Sequence, residues 1–138
     1  MKLIEGKFFT KEERDALKAA IEDEWSVNEL QPLIYGRIKE EDRYPDNDNN
    51  IEMGISEKII SLIMDGGVVL IGELVKLTEE ELIETARPKK ERGVGLGIQY
   101  LDDVYWALQN ISRHEEFEEV FVKEMMPNEL PTRKMGND

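Results

Sequence analysis

The 138-residue chain contains no cysteine. Disulfides, thiolate metal sites and a cysteine nucleophile are therefore excluded. It has a single histidine, His114, flanked by Arg113 and Glu115. With no second histidine or cysteine to complete a ligand set, no metal site is expected, and His114 reads as a surface residue. Long apolar runs are also missing. The longest, Val68 to Ile71, is far too short to cross a bilayer. The start, Met1 to Phe9, lacks the apolar centre of a signal peptide. The expectation is a soluble, cytoplasmic protein with no membrane association.

Positive charge is scarce. Against 31 Asp and Glu stand 18 Lys and Arg, giving a formal charge of −13 and a pI near 4.6. Such a balance repels a phosphate backbone at long range and suits a basic protein partner; it would also suit a mimic of nucleic acid. The carboxylates are many, but none pairs with a nucleophile or follows metal-ligand spacing. No enzymatic activity and no cofactor are expected. Asp46, Asp48, Asn50, Glu52 and Glu57 match positions of a calcium loop. Ile51, however, occupies the sharp turn that needs glycine, and Pro45 breaks the incoming helix. An Asn/Asp-rich linker is the better reading.

What is present is helical. Thr10-Lys11-Glu12-Glu13 has the form of a capping box, followed by Ala16, Leu17, Ala20, Ile21 and Trp25 on one face. Ser26-Val27-Asn28-Glu29 repeats the signal before a helix of about Leu30 to Glu41. Its Pro32 suits the first turn, and Leu33, Ile34, Tyr35 and Ile38 suit the core. Gly36 weakens that helix. Tyr44 to Asn50 reads as a loop and hinge. Ser56 can cap a helix that carries Ile59, Ile60, Leu62, Ile63 and Met64 and ends at Gly66-Gly67. Val68 to Leu77 reads as a short helix, and Thr78-Glu79-Glu80-Glu81 opens another that Pro88 stops. Ile98 to Ile111 recurs at helical spacing. Ser112-Arg113-His114-Glu115 has capping-box form before Phe117, Val120, Phe121 and Met125. Pro127 stops that last helix.

No segment alternates with period two, so the fold class expected is all-α. The organisation expected is an N-terminal helical segment with its linker (1–50), a main helical domain with the last helix (51–126), and a flexible tail (127–138).

Over about residues 56–111 the chain resembles the C-terminal domain of the bacterial RNA polymerase alpha subunit. The resemblance rests on Ile71-Gly72-Glu73-Leu74-Val75, Thr78-Glu79-Glu80-Glu81-Leu82, and Leu96-Gly97 followed by Leu101, Val104 and Leu108. It implies a compact domain with a helix-hairpin-helix that binds the DNA minor groove and contacts transcription activators. The family's DNA contacts fall on Lys58, where it has Arg, on Ser61, where it has Asn, and on the turn at Gly97. At that turn Ile98 and Gln99 replace two lysines, which removes phosphate contacts. Lys58 keeps a charge without the planar fork of arginine.

The chain also carries Arg87, Lys89, Lys90 and Arg92 before the glycine-freed amides of Gly95 and Gly97. Cations beside free amides can hold a phosphate. Tyr100, Tyr105 and Trp106 share one predicted helix with Leu101, Val104 and Leu108, which makes these rings candidate anchors for a protein partner. The reading that combines these features is a non-enzymatic interaction module, transcription-related or from a mobile element, that binds a protein through its acidic surface. The alternatives are a DNA-binding protein using the 87–97 loop and turn, and an acidic nucleic-acid mimic.

Overall fold

The computed structural model describes residues 2–43, 49–87 and 97–125. Of the hinge expected at 44–50, residues 44–48 lie outside them, as do most of the 87–97 loop and the tail, while Asn49 and Asn50 open α3 instead of forming a loop. Helices α1 (Lys11–Glu22), α2 (Gln31–Glu40), α3 (Asn49–Asp65), α4 (Ile71–Leu74), α5 (Glu79–Thr85), α6 (Ile98–Gln109) and α7 (His114–Met125) follow one another. Single-turn 3-10 helices at Val27–Leu30 and Ile111–Arg113 join them. The fold is all-α, and among the described residues there is no strand, only two isolated antiparallel bridges. No described helix is long and apolar enough to cross a membrane.

Helix α2 is the centre of the molecule. Pro32, Leu33, Ile34, Tyr35 and Ile38 are all buried, so it is apolar on nearly every side. A helix of that kind must be surrounded, and α3, α6 and α7 pack around it. The core runs without a break from Leu17, Leu30 and Ile34 through Ile59, Ile63 and Leu74 to Val104, Leu108 and Phe117. It therefore crosses the expected boundary at residue 50.

Gly36 makes this arrangement possible. A Cβ built there would overlap the Phe117 ring of α7, so glycine allows the two helices to approach. Alanine would raise helix propensity by about 1 kcal/mol. It would also force apart a packed ring, which costs typically about 1–3 kcal/mol and sometimes more. The overlap wins, because Phe117 is itself buried. Gly36→Ala is expected to lower the midpoint of urea unfolding, and a raised midpoint would refute this packing.

Both Thr capping boxes form. Thr10 Oγ1 accepts from Glu13 N, and Thr78 Oγ1 accepts from Glu81 N at 3.0 Å, with each Glu returning to the cap amide. Other expected starts are corrected. Ser56 does not open a helix, because α3 begins at Asn49. Ser56 is buried inside α3, its hydroxyl donating to Met53 O at 2.8 Å. Back-bonding of this kind removes the competition that normally pushes serine to a helix end. Ser26 caps the 3-10 turn rather than an α-helix, its Oγ accepting from Asn28 N. Ser112 lies within the second 3-10 turn, which runs directly into α7.

The expected helix from Val68 to Leu77 shrinks to α4. Residues 68–70 are extended instead, and the chain around them meets the chain around Ser26. Val27 N donates to Val69 O at 2.7 Å and Ile71 N donates to Trp25 O at 2.9 Å. Glu73 supports the bend by accepting from the amides of Val69 and Leu70, and these bonds hold its carboxyl below the usual range.

Candidate functional site

The positions matched to the family's DNA contacts are solvent-facing, whereas Ile71, Leu74, Leu82, Leu101, Val104 and Leu108, which also carry the resemblance, are buried. Lys58 and Ser61 lie one turn apart on α3, both exposed. Gly97 stands at the start of α6 in extended geometry, and Ile98 and Gln99 follow it, exposed. Arg87 is exposed and pairs with Glu84 at 3.5 Å. Lys89, Lys90, Arg92 and Gly95 lie outside the described residues, and with them the turn that would complete a helix-hairpin-helix.

The three aromatic candidates are turned inward. Tyr105 meets Phe9 edge-on at 5.8 Å and receives Lys7 over its ring at 4.9 Å. Trp106 meets Phe117 edge-on at 5.6 Å, with Arg37 at 5.7 Å. Tyr100 is half-buried against the core. The large apolar side chains that do face solvent include Phe8, 89% exposed, Ile98, 74%, and Val120, 50%. Phe8 had a legible signal: two adjacent phenylalanines cannot both face one core, and Phe9 takes the inner place.

His114 is not a surface residue. It is buried, with Trp25 edge-on at 5.0 Å and Glu29 Oε1 2.9 Å from Nε2, an ion-pair distance without hydrogen-bond alignment. Glu118 lies 3.7 Å from its other ring nitrogen.

A buried ionic clasp joins the end of α2 to α6. Asp103 is fully buried. Arg43 grips it with both terminal nitrogens, at 2.9 and 2.6 Å, the planar fork that matches a carboxylate. Arg37 Nε stands 3.5 Å from the same carboxylate, and its Nη1 donates to Asp102 O at 3.0 Å. Glu41 takes bonds from both arginines. The bond to Arg43 is the main reason its carboxyl sits below the usual range. Asp103 in turn holds the Arg43 guanidinium above its ordinary value.

A second polar group lies between α2, α3 and α7. The Tyr35 hydroxyl donates to Glu124 Oε1 at 3.1 Å, Lys39 Nζ is 3.7 Å from the same oxygen, and the buried Glu52 is near enough to act on Tyr35 by charge. Burial first, then the Glu124 charge and hydrogen bond, push the Tyr35 hydroxyl well above its ordinary value near 10. The folded chain therefore keeps this proton to higher pH than the unfolded chain. The contribution to stability is whole below about pH 10 and falls above it, by at most about 1.4 kcal/mol per pH unit. Tyr35→Phe is expected to flatten the loss of stability between neutral and alkaline pH relative to the unaltered chain. Tyr105, raised for the same reason of burial, keeps its share. Equal slopes in urea unfolding across that range would refute the assignment.

Among the described residues most cations are thus engaged within the molecule, while many carboxylates face out. Glu80, Asp102, Glu115 and Glu119 are exposed and make no ion pair among the described residues. On α7, Phe117 and Phe121 hold the inner side, and exposed Glu115, Glu116, Glu118 and Glu119 share the outer side with Val120. Among the described residues, no group of three or more His, Asp or Glu side chains is placed to hold a metal ion. The geometry defines an all-α protein with a buried ionic clasp and an acidic helical exterior. No protein-family model, curated protein or solved structure matches the chain.

Proposed function

We propose that the chain is a non-enzymatic helical interaction module that takes a basic protein partner on the outer face of α7. The observation that carries this reading is the row of exposed carboxylates around half-exposed Val120, on a helix whose other side is anchored by Phe117 and Phe121. Glu116 is already paired with Arg113 at 2.9 Å, and Glu118 lies by His114. Glu115 and Glu119 make no ion pair among the described residues and are free to steer a basic surface, and Val120 beside them gives an apolar contact that water leaves.

An amphipathic Lys/Leu helical peptide is the probe. Titrated into isotope-labelled protein at low salt, it is expected to shift α7 resonances saturably. Changing Glu115 and Glu119 to Gln with Val120 to Ser is expected to weaken binding about tenfold, a few exposed ion pairs and one apolar contact. Unchanged binding by that variant, or no binding at low ionic strength, would sink the proposal.

Exposure of Lys58, Ser61, Gly97 and Gln99 at the positions matched to the polymerase alpha domain favours a second reading, DNA binding. Under it, labelled duplex binds at low salt and a variant with Arg87, Lys89, Lys90 and Arg92 changed to Glu does not. No binding by the unaltered chain, where phosphate attraction is strongest, would discard this reading.

A further inference from the structure

The N-terminal strap and α1 enclose a groove of about 420 Å³, within the range of small-molecule sites. Ile4 and Phe9 come from the strap, Leu17 and Ile21 from α1, and together they make its floor. Arg14, Leu17, Lys18 and Ile21 follow at i, i+3, i+4 and i+7, so α1 presents one stripe to the groove while Glu12, Asp15 and Glu22 lie off it. The stripe is about 10 Å long, from the seven rises of about 1.5 Å between Arg14 and Ile21.

The strap is tied in place. Leu3 N donates to Leu77 O, and Gln109 Nε2 donates to Phe8 O at 2.9 Å. Arg14 Nη1 donates to Phe9 O at 2.9 Å, which fixes the guanidinium beside the groove and leaves its other donors. Lys7 lines the groove as well, 3.7 Å from Glu79. Lys18 is exposed and makes no ion pair among the described residues. One carboxylate, Glu5, reaches the lining, and its Oε1 already accepts from the Lys2 amide.

An apolar trough edged by cations fits an amphiphile with a negative head. The chain's charge of −13 opposes a polyanion at long range, whereas a single carboxylate meets the least repulsion and the full local attraction. We infer that the groove binds a medium-chain fatty carboxylate. Its alkyl chain lies along the α1 stripe, and its head is held by Arg14 and Lys18. This inference uses none of the α7 residues, so the two proposals fail separately.

The test is titration of decanoate, kept below its micelle concentration, into isotope-labelled protein. Acetate and decyltrimethylammonium serve as head-only and opposite-head controls. Saturable shifts confined to Ile4, Phe9, Leu17 and Ile21 are expected with decanoate, at least tenfold weaker response with the cationic amphiphile, and none with acetate. Arg14→Gln with Lys18→Gln is expected to weaken decanoate about tenfold. Lys18→Glu, which breaks no internal bond, should weaken it while leaving the unfolding midpoint in place. Equal affinity for both head groups would show plain greasiness and overturn the inference. So would shifts elsewhere, or an acidic Leu/Glu peptide occupying the groove where decanoate does not.

Discussion

A chain shortened to begin at Asn49 is expected to be unfolded. The cut removes α2 and the turn before it, and with them Val27, Leu30, Leu33, Ile34, Tyr35 and Ile38, each at most 1% exposed. Fully burying such side chains contributes about 1.5–3 kcal/mol each. Six of them together contribute roughly 9–18 kcal/mol, the same scale as the whole stability of a small domain, about 5–15 kcal/mol. Ile59, Ile63, Val104 and Leu108 would be left facing water. Asp103 would lose both arginines. Far-ultraviolet circular dichroism should show little helix in the fragment, and its proton spectrum should lack dispersed methyl signals. A dispersed, cooperative fragment would establish residues 49–125 as a self-sufficient unit and contradict the central role given to α2.

Asp103→Ala is expected to destabilise the full chain by about 3–5 kcal/mol, the loss seen when one partner of a buried pair is removed. Arg43, with its side chain only 11% exposed, would lose its buried counterion and keep only the more exposed Glu41. Asp103→Asn should fall between, since an acceptor remains. The informative variant is the double one, Arg43→Met with Asp103→Leu. Replacing a buried pair by apolar side chains of similar volume is often neutral or better. It should therefore recover most of the loss, and the two single changes should be far from additive. Urea unfolding of the four proteins gives the cycle. Additive losses would mean that the clasp is not an energetic unit.

The helices with strong local signals were legible in the sequence. Thr10 and Thr78 form their capping boxes because the bonding partners are three residues away. The helix expected from about Leu30 to Glu41 is α2, Gln31–Glu40, within a residue at each end. What escaped is non-local. Asn49 and Asn50 favour turns, yet α3 starts there, where Glu52 and Ser56 pack inward and packing overrides propensity. The extended stretch at 68–70 depends on partners more than forty residues earlier. Arg43 and Asp103 are 60 positions apart, so no spacing rule could join them. For the groove, the Arg14-Leu17-Lys18-Ile21 stripe was readable as period, but the strap that turns it into a trough was not. Tyr105 and Trp106 could not be assigned outward or inward until Phe9 and Phe117 were placed against them.

Tyr35 and Glu124, bonded across the centre, are 89 positions apart. A ribosome adding about 5–20 residues per second takes roughly 4–18 s to cover that separation. During that interval α3 and then α6 become available to cover two sides of α2, and the side that α7 covers is the last to be closed. The α7-facing side of α2, with Tyr35 and Gly36, therefore stays open longest, and a holding chaperone would meet the nascent chain there.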